Sequence, residues 1–332
     1  MGRRRKGLVA LAIGAVAVVG LAASAGASTT TVGALSVNGW FGFNEGPDGS
    51  VGTTTLVSGP ATPPAGIGSA QLTVDSTGRA SLATNAFRGT KLSQISALSY
   101  TTYAPVANLN RQANVAFDVD YDTTDASTAF QGRLTFVRSS AVPANTWTSI
   151  NALTDGTWFA SGAPGNATCG QGSPCTWSQV LSNYPNAGVR NDSVAKGAML
   201  LRLGGPISGG ATAYVDDFSI TRPSGTSEVD FEPGATISPS IGPAGSSVTV
   251  TAYGYRPGKW VNVKYDRVAT GLRAGPRRPR LCRVRANAQG AAICSGTIPA
   301  VAGPAGVHPV TTQGKGDNGA PLAYRLDFVV SP

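Results

Sequence analysis

Three carboxylates recur at alternate positions, Asp118, Asp120 and Asp122, a density that raises calcium chemistry first. An EF-hand loop counted from Asp118 would need glycine at its sixth position and glutamate at its twelfth. Thr123 and Ala129 stand there instead. Period-two spacing places the carboxylates on one face of a strand and Val115, Phe117, Val119 and Tyr121 on the other. The expectation is a half-exposed strand whose polar face is a candidate glycan groove. Trp40, Phe41, Trp147, Trp158, Phe159 and Trp177 offer ring faces for sugar stacking, although aromatic side chains more often fill cores. Trp158 and Phe159, flanked by polar residues and glycine, are the expected exposed platform.

Recognisable catalytic strings are missing. His308 is the one histidine, and neither a G-x-S-x-G elbow, an H-E-x-x-H pair nor a G-x-x-x-x-G-K-[ST] loop occurs. Glycoside hydrolysis runs on two carboxyl groups about 5–10 Å apart, but among 17 acidic residues some such pair arises in any fold. No catalytic residue is assigned. The four cysteines fall in two close pairs, Cys169/Cys175 and Cys282/Cys294. Their C-x5-C and C-x11-C spacings, with a single histidine, do not suit zinc. An even count in an exported chain reads as two disulfides. A hairpin turn over 286–290 would set Cys282 and Cys294 opposite each other, within disulfide reach.

Charge divides the chain. Residues 28–232 carry 10 Lys/Arg against 14 Asp/Glu, while residues 233–332 carry 12 against 3. Arg273, Arg277, Arg278 and Arg280 sit in a Pro/Gly-rich loop, and Arg283 and Arg285 alternate on the strand that follows. Guanidinium forks hold phosphate or carboxylate in bidentate fashion. These six arginines are the candidate anion site, with a solvated basic loop as the plainer alternative. The loop lacks interleaved aromatics, Trp260 and Tyr265 being expected in the core, which weighs against nucleic acid as the partner.

The elements that must position these groups read as short strands. Leu134–Val137, Met199–Leu203, Tyr214–Ile220, Ser247–Tyr253 and Trp260–Tyr265 alternate or run apolar between Gly/Pro turns, the pattern of an all-β sandwich. One helix is expected from a Thr176 cap through Leu181. Arg3 to Lys6, the apolar run Leu8–Ala23 and the Ala-x-Ala end read as an export signal over 1–27, cleaved after Ala27 or Ala25. Later apolar runs are too short to span a membrane. The expected organisation is a signal (1–27), a larger β domain (28–232) and a smaller, basic one (233–332), with Arg222–Ser227 of linker or loop composition near the boundary and Phe231 and Glu232 open to a last short strand of the larger domain.

Ile237–Gly245, Val248–Val250 and Gly254–Gly258 resemble bacterial extracellular Ig-like modules, and the opening is similar to neocarzinostatin-type sandwiches. Gly66–Leu72, Leu92–Tyr100 and Tyr214–Ile220 resemble secreted jelly-roll domains. The last string is similar to the closing strand of galactose-binding-like carbohydrate-binding modules. Trp147–Leu153 and Pro174–Trp177 look like uncharacterised bacterial surface proteins. The resemblance implies an N-terminal jelly roll, an Ig-like second sandwich and a structural calcium held by Asp216 or Asp217, with Glu45. The function expected is a secreted or cell-surface, non-catalytic binding protein for glycan or anionic cell-wall polymer, its basic module aiding retention. A purely adhesive protein and a glycan-active hydrolase or lyase stay open.

Overall fold

The computed structural model describes residues 28–332 apart from 38, 126, 128, 163–164, 193–196, 267–277 and 317–318. The expected export signal, Arg273 and Arg277 therefore lie outside the described residues. Strand accounts for 51% of the chain and helix for 6%, so the all-β class holds.

The larger part is built from Ser28–Val32 (β1), Trp40–Asn44 (β2), Gly52–Ser58 (β3), Gly68–Val74 (β4), Arg79–Thr84 (β5), Ala97–Tyr103 (β6) and Asn114–Asp120 (β7). Gly132–Arg138 (β8), Thr148–Asn151 (β9), Gly156–Ser161 (β10), Gly188–Val189 (β11), Met199–Gly204 (β12), Ala211–Arg222 (β13) and Gly225–Phe231 (β14) complete it. One sheet runs β1-β14-β13-β4-β3, with β6 beside β13 and β9 beside β6. The facing sheet runs β10-β8-β7-β12-β5-β2, with β11 against β7. Alternation explains the sandwich: Val115, Phe117 and Val119 of β7, Leu134 and Phe136 of β8, and Leu201 and Leu203 of β12 point into one shared core. Each such burial contributes about 1.5–3 kcal/mol.

The remainder holds Ala235–Ser238 (β15), Ile241–Gly242 (β16), Ser247–Ala252 (β17), Trp260–Tyr265 (β18), Arg280–Arg285 (β19), Ala292–Thr297 (β20), Gly306–Lys315 (β21) and Pro321–Val330 (β22). A three-stranded sheet, β15-β17-β20, faces a five-stranded one, β16-β22-β21-β18-β19. Val250, Val263, Tyr265, Ile298, Val310 and Phe328 close the core between them.

Two local expectations are corrected. Arg222–Ser227 is a loop and strand start rather than a linker: Arg222 pairs with Gly225 across a tight turn, and the chain returns as β14 between β13 and β1, reaching Phe231. Its polar residues lie on the outer side while Val229 and Phe231 are buried. Cys282 and Cys294 are bonded, but not across a hairpin ladder. Cys282 pairs with Val263 in the five-stranded sheet and Cys294 with Val250 in the three-stranded one, so the disulfide staples sheet to sheet.

The expected helix forms as Trp177–Asn183 (called αA here), with the Thr176 hydroxyl accepting from the Gln179 N–H and the Gln179 side chain reaching back to the Thr176 N–H. That reciprocal cap satisfies two end donors at once. Between the two sandwiches, the Tyr324 hydroxyl reaches the Gly33 carbonyl at 2.7 Å and the Tyr253 carbonyl at 3.0 Å. A Cβ on Gly33 would stand 2.2 Å from that of Tyr253, so only glycine permits this approach.

Candidate functional site: a cleft on the outer face of the six-stranded sheet

The face of β10-β8-β7-β12-β5-β2 that turns away from the core carries the molecule's densest chemistry. Register sets Phe159, Thr135, Ala116, Leu200, Ala83 and Phe41 side by side across the six strands. The middle of this row is small and apolar: Ala116, Leu200 and Ala83 are fully buried, with Phe41 and Phe43 packed on them.

Charged side chains cross over this floor. The Arg133 guanidinium grips Glu45 with two nitrogens, at 2.8 and 3.0 Å, and sends its Nε to Asp118 at 2.6 Å. Glu45 also accepts from the Arg202 Nε at 3.2 Å and the Ser81 hydroxyl at 2.6 Å. Two carboxylates and two guanidiniums compensate one another. Burial pushes the Glu45 carboxyl up, but Arg133, Arg202 and Ser81 outweigh it and leave its pKa below the ordinary value. For Asp118 burial wins over Arg133, and its pKa is raised. Burial, then repulsion from Arg133, lowers that of Arg202.

Beside this network opens a cleft of about 490 Å³. Thr135, Val137, Asn114, Thr157, Phe159 and Arg202 line its sheet side; Leu109, Asn110 and Gln112 with Gly204–Ile207 supply one rim. Gln171 and Pro174 form the other, and both belong to the loop closed by the Cys169–Cys175 disulfide. That loop is fastened to β10 by paired backbone bonds between Cys175 and Trp158 and by Ala160 N–H to the Cys169 carbonyl. Gln112 is only 1% exposed, and its Oε1 accepts from the Val142 N–H, which fixes which end is oxygen. Its Nε2 donor has no partner, nor has the buried Oδ1 acceptor of Asn114. Both atoms are sealed from solvent, so a ligand in the cleft meets instead the Phe159 ring and the polar side chains of Asn110, Thr157 and Gln171.

The expected site residues meet mixed placements. Trp158 is fully buried, stacked on Phe117 at 5.7 Å and hydrogen-bonded to the Ala152 carbonyl, because alternation along β10 turns it inward. Phe159, its neighbour, faces the cleft. Asp118 and Asp120 are 5% and 7% exposed rather than half-exposed, since β7 is central in the sheet and Arg133 covers it. Asp122 lies past the strand end and binds the Thr124 N–H and hydroxyl, so the three carboxylates do not line one groove. Gln112, Asn114, Gln171, Pro174 and Arg202 were not singled out from sequence. Arg202, a charge inside Met199–Leu203, was the readable signal.

The implied calcium ligands are not brought together. Glu45 follows β2 in one sheet and is engaged by arginines, while Asp216 lies in β13 of the other and accepts from the Phe231 and Ala65 N–H groups. Asp217 is exposed, with φ at +50°. Among the described residues, no group of three His, Cys, Asp or Glu side chains is placed to hold a metal ion.

Asp216 instead belongs to a buried acidic set. Burial lifts Asp216 to about 7, Glu232 to about 7 and Asp230 to about 6. Each folded pKa lies above its unfolded value, so these groups favour the fold below about pH 4 and progressively oppose it as pH rises through 6–7. We expect Tm to fall by several degrees between about pH 5 and 8, and Glu232→Gln to flatten that slope. A Tm that rises over the same interval, followed calorimetrically, would show that the three carboxylates are hydrated.

Of the candidate anion residues, Arg278 is drawn to Asp266 at 2.6 Å. Arg280, Arg283 and Arg285 are exposed. Trp260, expected in the core, is 43% exposed because it begins β18 on the outward side. Among the described residues, no helix is long and apolar enough to cross a membrane.

No protein-family model matches this chain. No curated protein matches it. Among solved structures it is similar to a family 11 carbohydrate-binding module of a cellulosomal cellulase of Clostridium thermocellum, at 12% identity and a TM-score of 0.34, over 55% of this chain and 86% of that one. A glycoside hydrolase domain, Endo-D from Streptococcus pneumoniae R6, shares 9% identity at a TM-score of 0.25, over 87% of this chain and 37% of its own. A protein described as membrane anchored, from Corynebacterium diphtheriae, shares 13% identity at 0.20, over 84% and 53%. At these values the likenesses carry no argument about ligand or activity, and the cleft itself has to supply one.

Proposed function

We propose that this chain is an extracellular, non-catalytic binding protein that holds a neutral glycan in the cleft beside Phe159. The observation that carries this reading is the half-buried Phe159 ring lining the cleft together with the amides of Asn110 and Gln171 and the Thr157 hydroxyl. A sugar presents an apolar C–H face and hydroxyls that both donate and accept, which suits a ring beside amide and hydroxyl side chains. The neighbouring charges cancel within their own network, which favours a neutral ligand over an acidic one. None of the described residues lining the cleft is an aspartate or glutamate. Glycoside hydrolysis needs two carboxyl groups flanking the bond, so this lining favours binding without turnover. Two disulfides fit an oxidising compartment.

The test is binding of the protein to a panel of soluble neutral polysaccharides, with Phe159→Ala alongside. Loss of the ring is expected to weaken binding about tenfold or more, near 1.4 kcal/mol, with Tm unchanged. Equal affinity of the variant would remove Phe159 from the site. New reducing ends during incubation would replace this reading with catalysis, and self-association with no glycan bound would replace it with adhesion.

A further inference from the structure

The basic smaller sandwich carries a second arrangement that the cleft does not use. Trp260 on β18 stands opposite Arg285 on the edge strand β19, with Arg283 two residues along the same outward side. The Arg283 guanidinium lies 4.2 Å from the centre of the indole ring and that of Arg285 lies 4.7 Å from it. Arg285 is further tied to the Gly258 carbonyl at 3.2 Å, and Lys264 is steadied by the Gln313 side chain at 3.0 Å. Cation–π contact holds a guanidinium in place without neutralising it. Little rotamer entropy is then lost when these forks take a ligand.

Among the described residues, no carboxylate compensates the charge of Arg283, Arg285 or Lys264. Among the described residues of this half, Asp266 is occupied by Arg278 and Asp327 lies nearest Arg325, at 3.7 Å. Neither acid pairs with Arg283, Arg285 or Lys264. Arg283 and Arg285 stand at alternate positions of an exposed edge strand and both guanidiniums converge on the Trp260 ring, so they form one compact cationic patch.

We propose that this Trp260–Arg283–Arg285 surface binds the phosphate groups of a linear, base-free phosphate polymer. Phosphate matches the guanidinium fork and recurs at short intervals in such chains. A nucleic acid would use the exposed indole to stack a base, but this ring already carries two guanidiniums. The inference stands apart from the glycan reading, since it rests on another sheet and on ligands of opposite character.

The experiment titrates the protein with inorganic polyphosphate, polygalacturonate, a single-stranded DNA oligonucleotide and dextran at two salt concentrations. Polyphosphate is expected to bind most tightly, and its affinity to fall about tenfold between about 50 and 200 mM salt, as for two or three phosphates neutralised. Arg283→Gln with Arg285→Gln should weaken it at least tenfold, with Tm and neutral-glycan binding unchanged. Arg283→Lys with Arg285→Lys, which keeps the charge and loses the fork, should restore only part of the affinity. Undiminished binding by the Gln pair overturns the proposal. So does tighter binding of polygalacturonate, which would assign the surface to carboxylates, or of the oligonucleotide, which would assign it to nucleic acid.

Discussion

Arg133→Met should destabilise the protein by about 3 kcal/mol, the lower end of what removing one partner from a buried ion pair costs. Methionine matches the length of the aliphatic stem but leaves two carboxylates without their shared cation. Glu45 keeps Arg202 and Ser81. Asp118 keeps only the weaker attraction of Arg190, and burial raises its pKa even with Arg133 present. The deficit should therefore depend on pH with a definite sign. A carboxyl whose folded pKa is raised opposes folding above that pKa and ceases to do so once protonated. The stability gap between the parent and Arg133→Met should narrow as pH falls from about 8 to 5, measured by denaturant titration at each pH. Adding Asp118→Leu to Arg133→Met should recover most of the loss, because apolar replacement of both members of a buried pair is often neutral. A gap below about 1 kcal/mol, typical of exposed pairs, would mean that water reaches the network.

The second large effect concerns the cleft wall. Cys169→Ala with Cys175→Ala should cost about 2 kcal/mol, the low end for a disulfide because the loop it closes is short. It should also weaken neutral-glycan binding about tenfold. The two effects share one cause: the bond holds the Gln171–Pro174 rim over Phe159, and the Asn183 side-chain amide at the end of αA lies 3.4 and 3.7 Å from its two sulfurs. Cys282→Ala with Cys294→Ala is the matched control. It removes a sheet-to-sheet staple in the other sandwich, so stability should fall while glycan affinity stays. If both pairs of substitutions lower glycan affinity alike, the first disulfide stabilises the protein without shaping the site.

Sequence pattern carried most of the strands and little of the site. β7, β8, β12, β17 and β18 alternate or run apolar strongly enough to be read from sequence, and Thr176 and Gln179 declare the helix. Only the end of β14, at Phe231, was legible, because a turn rich in Pro, Ser and Gly precedes a strand whose polar residues face outward. The carboxylates show the deeper limit. Period two correctly separates Asp118 from Phe117, but whether the polar side is wet depends on what crosses over it. Arg133 lies 15 positions from Asp118 and 88 from Glu45, and no local pattern announces a side chain arriving from that distance. The cleft has the same origin: Gln112, Phe159, Gln171 and Arg202 belong to four separate segments that only the sheet order brings together.

The Tyr324 clasp has a consequence for attachment. Its single hydroxyl proton is within reach of two carbonyls, Gly33 in one sandwich and Tyr253 in its own, the nearer being Gly33. The bond to Gly33 crosses the junction and favours one arrangement of the two sandwiches over others. Once one end is anchored, the other samples only a bounded volume, and a second ligand inside that volume is met at an effective concentration on the order of millimolar. Two weak grips of different kinds would then hold as one strong one, but only on a matrix whose spacing of the two polymers suits the distance that the clasp sets.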